Sequence, residues 1–188
     1  QALGLGHAVL TGAPVLGKEN FAVLLGDEIM YSEPNQPAVT EQLAHVFNET
    51  SLSTVAVMEV PQQEVCKYGI VSVDQLNSLP YRVQHVVEKP SAEEAPSRLA
   101  LPGRYVFTPE ILTALKDTKP GRNGEIQLTD AMTVVAKKEG MLATPFHAKR
   151  FDAGDKLGYL IANIELALLR DELSLPLRNY LKQLAQNL

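Results

Sequence analysis

Residues 21–28 read Phe-Ala-Val-Leu-Leu-Gly-Asp-Glu, five apolar residues that stop abruptly at a glycine and two carboxylates. A continuous apolar run of this length, ended by glycine, is typical of a buried strand. Apolar residues then recur at helical spacing within residues 37–50, and residues 53–60 predict a second strand. A strand, a helix and a strand in this order predict a right-handed parallel crossover.

The strands that follow point to a mixed sheet. Residues 69–73 and 83–89 predict two strands joined by a turn, which favours an antiparallel pair. Residues 103–107 predict another strand, and residues 140–151 a turn and an irregular strand. The chain is therefore expected to have an α/β fold with a mixed sheet.

The helices after this sheet have recognisable start and stop signals. Thr108 predicts a hydroxyl cap for a short helix at 109–116, and Gly124 is expected to open a helix at 125–138. A long helix should begin near Gly154 and run past Leu169. Pro176 is expected to end that region, so that a last amphipathic helix covers residues 177–188.

Composition narrows the class of protein. The chain has 188 residues, of which 45% are hydrophobic and 21% charged, and these proportions exclude a disordered or fibrous protein. We expect one domain over residues 1–170 and a C-terminal helix, 171–188, that contacts a second subunit in a homo-oligomer.

Several partners are excluded on the same grounds. The net charge is −5 and there is no dense Lys/Arg run, so nucleic acid is not expected as a partner. The apolar stretch at 157–169 is shorter than the roughly 20 residues of a membrane span. Cys66 is the one cysteine, which suits a reducing cytoplasm, and we interpret it as a packing residue.

Two acidic residues are candidates for a metal site. Asp27 ends the first strand, and Asp152 lies between the irregular strand and the long helix. Ligands bind at the carboxyl ends of strands in open α/β sheets, and two carboxylates there could hold one Mg²⁺. The pattern leaves open that Asp27 only caps a turn, and for Asp155 the role of helix N-cap is preferred.

Other candidates are weaker when they are taken singly. Glu88 and Lys89 end a strand, where a lysine suits a phosphate and a glutamate accepts hydrogen bonds from sugar hydroxyls, although exposed strand ends are commonly just solvated. The glycines at 4, 6 and 69 permit close approach to a ligand or simply serve turns. The opening turn of the helix near Glu125 has free amides that favour anions or hydroxyls, but Glu125 could simply stabilise that helix end, and Thr129 and Asp130 could face solvent.

The ordered set of motifs closely resembles the bacterial UTP–glucose-1-phosphate uridylyltransferases, also called UDP-glucose pyrophosphorylases. The motifs are Gly-Leu-Gly-His-Ala-Val at 4–9, Phe-Ala-Val-Leu-Leu-Gly-Asp at 21–27, Tyr-Gly-Ile-Val at 68–71, Val-Val-Glu-Lys-Pro at 86–90, Gly-Arg-Tyr-Val at 103–106, Gly-Glu-Ile-Gln-Leu-Thr-Asp at 124–130 and Arg-Phe-Asp-Ala-Gly-Asp-Lys-Leu-Gly-Tyr at 150–159. The resemblance covers nearly the whole chain except the last helix.

The resemblance implies a Rossmann-like nucleotidyltransferase fold and a Mg²⁺-dependent reaction of UTP with glucose 1-phosphate that gives UDP-glucose and pyrophosphate. It implies that Asp27 and Asp152 hold Mg²⁺ and that Lys89 neutralises the sugar phosphate. The residues that it implies for substrate binding are Gly4 and Gly6 for uridine, and Gly69, Glu88, Gly103, Tyr105 and Glu125 for glucose.

The sequence departs from the family at its beginning. The family's glycine-rich triphosphate loop has no counterpart, so the fold is expected to be N-terminally truncated and some strand edges unpaired. Glu28 stands where a second aspartate is common, and its longer side chain is expected to disturb the metal geometry slightly. The alternative function is therefore an inactive remnant that binds sugar nucleotides or only oligomerises.

Overall fold

The computed structural model describes residues 3–121 and 124–186, which fold into two compact units. The larger unit consists of the described residues before Gly26 together with Ser32–His147. The smaller unit consists of Gly26–Tyr31 together with the described residues from Ala148 onward. Neither unit begins or ends at residue 170. The domain boundary expected there from the sequence stays a prediction.

The strands are β1 (Phe21–Leu24), β2 (Glu28–Tyr31), β3 (Ser53–Glu59), β4 (Gly69–Val73), β5 (Tyr81–Glu88), β6 (Leu99–Ala100), β7 (Arg104–Phe107), β8 (Met141–Pro145) and β9 (Lys149–Asp152). The helices are α1 (Leu5–Thr11), α2 (Ala13–Leu16), α3 (Val39–Thr50), α4 (Glu110–Asp117), α5 (Leu128–Lys138), α6 (Lys156–Leu168) and α7 (Asp171–Ala185). In the larger unit a mixed sheet carries helices packed against it, so the predicted α/β class is confirmed.

The larger unit is built on a seven-stranded mixed sheet. β3 pairs antiparallel with β7 on one side and parallel with β8 on the other. β4 pairs antiparallel with β5, as predicted. β1 and β3 both run antiparallel to β7, which lies between them, so the predicted crossover joins strands that are not neighbours.

The buried faces of the sheet and of α4 and α5 form the main core. α5 contributes Leu128, Met132, Val135 and Ala136, the four residues whose spacing predicted one apolar face. β1 is less buried than its apolar sequence predicted, because it lies at the end of the strand order and leaves Leu24 52% exposed.

Three local predictions were wrong. α4 begins after Pro109 without a side-chain cap, because the Thr108 hydroxyl contacts the Ser53 hydroxyl instead, at 3.2 Å. α5 begins at Leu128, so Glu125 precedes the helix. α7 continues through Pro176. The residues around it are exposed or half-buried, so water can bond the backbone carbonyl that the proline leaves without an N–H donor.

The smaller unit contains a two-stranded antiparallel ribbon, β2 with β9, followed by α6 and α7. Within residues 3–121 and 124–186, no helix is both long and apolar enough to cross a membrane.

Candidate active site

A cavity of about 450 Å³ with both polar and apolar lining opens in the larger unit. It is lined by the end of β5 and by the segment that leads into α5: Val86, Val87, Glu88, Lys89, Glu125, Gln127 and Asp130. The structure therefore brings together Glu88, Lys89 and Glu125, three residues that lie on two separate motifs. The volume falls within the range of about 300–1,000 Å³ common for small-molecule sites.

Glu88 is half-buried at the end of β5. Burial raises the pKa of its carboxyl group above the usual 4.5, and the charge of Lys89 and the hydroxyl of Thr129 oppose that rise. Thr129 is only 6% exposed, so the expectation that it faces solvent was wrong; it lies in the first turn of α5, on the face that packs inward. Glu88 therefore carries a desolvated carboxylate into the cavity.

Lys89 leaves the strand with a left-handed backbone, φ 45°, which is uncommon for a residue with a side chain. Its backbone N–H donates to the carbonyl of Tyr68 at 2.9 Å. Its ammonium lies 3.9 Å from a Glu88 carboxylate oxygen, and the side chain is 61% exposed. The turn thus presents an accessible positive charge beside the cavity.

Close contacts require two of the glycines predicted to bind glucose, and of these two only Gly69 has Glu88 as a neighbour. A Cβ on Gly69 would lie 2.9 Å from the Thr129 methyl group and 3.3 Å from a Glu88 carboxylate oxygen. Gly103 has φ 84° and a Cβ there would lie 2.7 Å from the side chain of Leu25. Any side chain at Gly69 would push against Glu88.

The remaining predicted substrate residues have close contacts inside the protein. A Cβ on Gly4 or Gly6 would meet the carbonyl oxygen of Ile126 at 2.8 or 2.7 Å, so both glycines are needed for packing against that segment. Tyr105 is 4% exposed and stacks on Phe107 with ring centroids 5.4 Å apart. These contacts give the three residues a structural reason that is independent of a ligand.

In the smaller unit, Asp27 and Asp152 flank the same small space. A Cβ on Gly154 would lie 2.9 Å from Asp27 Oδ2 and 3.2 Å from Asp152 Oδ1. Asp152 Oδ1 also accepts hydrogen bonds from the backbone N–H groups of Gly154 and Asp155, at 3.0 and 3.2 Å. The glycine therefore keeps a cradle open between two carboxylates.

The donor set of this cradle fits a hard divalent cation. Mg²⁺ is commonly bound by one or two carboxylates and completes its octahedron with water and substrate phosphate oxygens. No cluster of three or more His, Cys, Asp or Glu suited to a metal occurs within residues 3–121 and 124–186. Asp155 instead caps α6, accepting from the N–H of Gly158 at 2.8 Å, as preferred from the sequence.

Sequence reasoning missed the partner of Glu28. Arg150 donates from Nε and Nη2 to both oxygens of Glu28, each at 2.5 Å, and Glu28 is 8% exposed. Burial raises the pKa of Glu28, while the hydrogen bond and charge of Arg150 oppose the rise. The spacing of Arg150 and Asp152 indicates only that they share one face of a strand, and Glu28 joins them through the pairing of β2 with β9.

Cys66 has a different environment from the one its sequence suggested. It is exposed on the short 3₁₀ helix Gln62–Lys67, where Val65 takes the buried position. The interpretation of Cys66 as a packing residue was therefore wrong.

Comparisons with known proteins agree with the motif pattern. A family model described as nucleotidyl transferase matches residues 1–167. The chain is 44% identical over 159 residues to the UTP–glucose-1-phosphate uridylyltransferase of Pseudomonas aeruginosa, and 43% identical over 181 residues to that of Staphylococcus epidermidis. These matches cover 85% and 96% of this chain, and 57% and 62% of the relatives.

Solved structures give the same similarity in three dimensions. A UDP-glucose pyrophosphorylase complexed with UDP-glucose is 42% identical, with a TM-score of 0.86, over 90% of this chain and 64% of that one. A UTP-bound UGPase from Acinetobacter baumannii is 35% identical with the same TM-score of 0.86, over 98% and 63%. The predicted resemblance and the mixed-sheet nucleotidyltransferase fold are confirmed, and the chain spans about three fifths of the length of these proteins.

Proposed function

Because the chain belongs to the nucleotidyl transferase family, we propose that it carries the sugar-phosphate and metal-binding part of a UTP–glucose-1-phosphate uridylyltransferase. In the proposed reaction, a phosphate oxygen of glucose 1-phosphate forms a bond to the α-phosphorus of UTP. The bond between the α-phosphorus and the bridging oxygen breaks, and pyrophosphate leaves. The products are UDP-glucose and pyrophosphate.

The observation that carries the proposal is the cavity that joins Glu88, Lys89 and Glu125. Carboxylates accept hydrogen bonds from sugar hydroxyls, and such bonds are stronger in a desolvated setting than in water. Lys89 would neutralise the phosphate of the sugar, since an ammonium is a compact point charge. Gly69 and Gly103 would keep the backbone close to the glucose, and the similarity to a UDP-glucose complex supports this assignment.

Asp27 and Asp152 are the proposed ligands of Mg²⁺. A divalent cation bound there would neutralise charge on the phosphate oxygens, which is the main requirement of phosphoryl transfer. Neither carboxylate needs to act as a nucleophile, because positioning and charge neutralisation account for catalysis in this class of reaction. For Gly4 and Gly6 a uridine contact, and for Tyr105 a place near the glucose, stay proposals beside their packing roles.

The test is a pyrophosphate-release assay on the purified chain with UTP, glucose 1-phosphate and Mg²⁺, with UDP-glucose binding measured in parallel. Lys89→Met should abolish turnover or weaken UDP-glucose binding at least tenfold. Lys67→Met is the matched control, because Lys67 is also 61% exposed but pairs with Glu64, and it should change neither quantity. Equal losses in the two variants would remove Lys89 from the site.

The same assay separates the two candidate functions. Turnover supports the enzyme, whereas binding without turnover supports the sugar-nucleotide-binding remnant. Asp27→Asn and Asp152→Asn should each abolish Mg²⁺-dependent binding and turnover. Asp171→Asn, in the first turn of α7, should leave both unchanged.

We also propose that the chain forms a homo-oligomer through its C-terminal helices, with α6 contributing beside the helix α7 expected from the sequence. The side chains of Leu157, Leu160, Ile161 and Ile164 follow helical spacing and are each more than a third exposed in the described structure. A second copy would cover this stripe. Light scattering should give a mass above 20.5 kDa, and Leu160→Glu should return it to that of one chain.

A further inference from the structure

Three charged side chains share one face of the ribbon formed by β2 and β9. Glu28 lies directly opposite Asp152, and Arg150 precedes Asp152 by two residues on the same strand. Alternate residues of a strand point to the same side, so all three project together. Two carboxylates placed directly opposite each other repel, and Arg150 is the cation that separates them.

The hydrogen bonds show how the guanidinium is shared. Arg150 forms a bidentate pair with Glu28, and its Nη2 also donates to Asp152 Oδ2 at 3.2 Å. The side chains of Glu28 and Arg150 are only 10% and 16% exposed. Asp152 Oδ1 is held by two backbone N–H groups, so the Asp152 carboxylate is fixed at both of its oxygens.

We propose that Glu28 and Arg150 are positioning residues for the carboxylate pair, an inference that rests on the proposed metal site. Arg150 fixes the orientation of Asp152. Glu28 occupies the fork of Arg150 and cancels its charge, so that Asp27 and Asp152 keep two net negative charges for a divalent cation. Without Glu28, the full charge of Arg150 would compete with the cation for Asp152.

A purely structural role accounts poorly for this arrangement. Burying an ion pair carries a large desolvation cost, and well-packed apolar residues commonly serve stability as well or better. Partners that orient a metal ligand, in contrast, typically change metal affinity by about 10- to 100-fold when they are mutated. Substitution of Glu28 is therefore expected to change the affinity for a cation.

The experiment is a titration of the full 188-residue chain with Mn²⁺, with free Mn²⁺ followed by electron paramagnetic resonance. Glu28→Gln should raise the Mn²⁺ dissociation constant about tenfold, and Arg150→Lys, which keeps the charge but loses the planar fork, about threefold. Glu59→Gln, which breaks the exposed pair of Glu59 with Arg98, is the control and should leave the constant unchanged.

Each outcome decides between the proposals. If Glu28→Gln lowers the melting temperature but leaves Mn²⁺ affinity within twofold, the pair is structural and this inference is overturned, while the metal site stands. If the unmodified chain does not bind Mn²⁺, or Asp27→Asn binds it equally well, the metal site falls and this inference with it. Should Glu28→Gln not fold, Arg150→Lys decides alone, and an unchanged affinity overturns the inference.

Discussion

Two glutamates at strand ends, Glu28 and Glu88, meet the same physical problem in different ways. Burial raises the pKa of both carboxyl groups. The burial of the Glu28 carboxylate is compensated by bidentate hydrogen bonds from Arg150. Glu88 instead faces the ammonium of Lys89 at 3.9 Å and the Thr129 hydroxyl. The Glu28 carboxylate is paired at both of its oxygens, whereas the Glu88 carboxylate keeps capacity to accept further hydrogen bonds.

The largest expected effect tests the compensation of Glu28. Arg150→Met should lower the free energy of unfolding by about 3–5 kcal/mol, because it leaves a buried carboxylate without its fork. Lys89→Met removes a charge that is 61% exposed and should cost less than about 1 kcal/mol. Urea denaturation of both variants gives the two values, and similar losses would end the distinction between the glutamates.

A smaller effect is expected where Glu88 is crowded. Gly69→Ala should cost about 1–3 kcal/mol, because a Cβ there would overlap the Thr129 methyl group and press on Glu88. Gly121→Ala is the control, since a Cβ on Gly121 would lie 3.5 Å from Asp130 Oδ2, an ordinary contact distance. Thermal unfolding measures both variants; a Gly69→Ala protein as stable as the control would show that Glu88 has room to move.

The pH dependence of stability sharpens the comparison further. Because folding raises the pKa of Glu88 above 4.5, its stabilising contribution is complete below about pH 4.5 and is lost as the pH rises through the folded-state value. Glu88→Gln should therefore raise the melting temperature slightly at pH 7 and leave it unchanged at pH 4. Glu93→Gln, at an exposed position, should change neither. A destabilised Glu88→Gln protein at pH 7 would mean that the ionised carboxylate is fully compensated.

The smallest effect is expected at Cys66. Because its side chain is exposed and Val65 occupies the core, Cys66→Ala should change stability by less than about 0.5 kcal/mol. Mn²⁺ binding and UDP-glucose binding should also stay as they are. A loss of Mn²⁺ binding or of UDP-glucose binding in this variant would show that Cys66, outside the regions of Glu28 and Glu88, also contributes to function.

The fold could be predicted where periodicity was long enough to decide. α5 was recognised from Leu128, Met132, Val135 and Ala136, because four apolar residues at helical spacing define one face. Pro176 was expected to end a helix because proline removes a hydrogen bond, but α7 continues through it at an exposed position, where water can bond the freed carbonyl. β1 misled because an apolar run does not tell whether a strand lies inside a sheet or at its edge.

The candidate site was predictable to the extent that it lies in short motifs. Asp27 and Asp152 were paired on the expectation that strand ends meet, and the structure brings them to one glycine. The bond between Glu28 and Arg150 depends on the register of β2 with β9, and no local pattern encodes that register. Thr129 was expected to face solvent because the sequence does not show which face of α5 packs on β5.

The ribbon that carries the carboxylate pair joins parts of the chain far apart in sequence, with Glu28 and Arg150 separated by 122 positions. Closing so long a loop costs entropy before any contact repays it, whereas β4 and β5 are joined by a short turn and can pair early. Acquisition of a divalent cation at the proposed site should then be a late event in folding. In stopped-flow refolding, Mn²⁺ uptake is expected to lag behind the formation of secondary structure, and the cation would serve as a reporter of the finished chain.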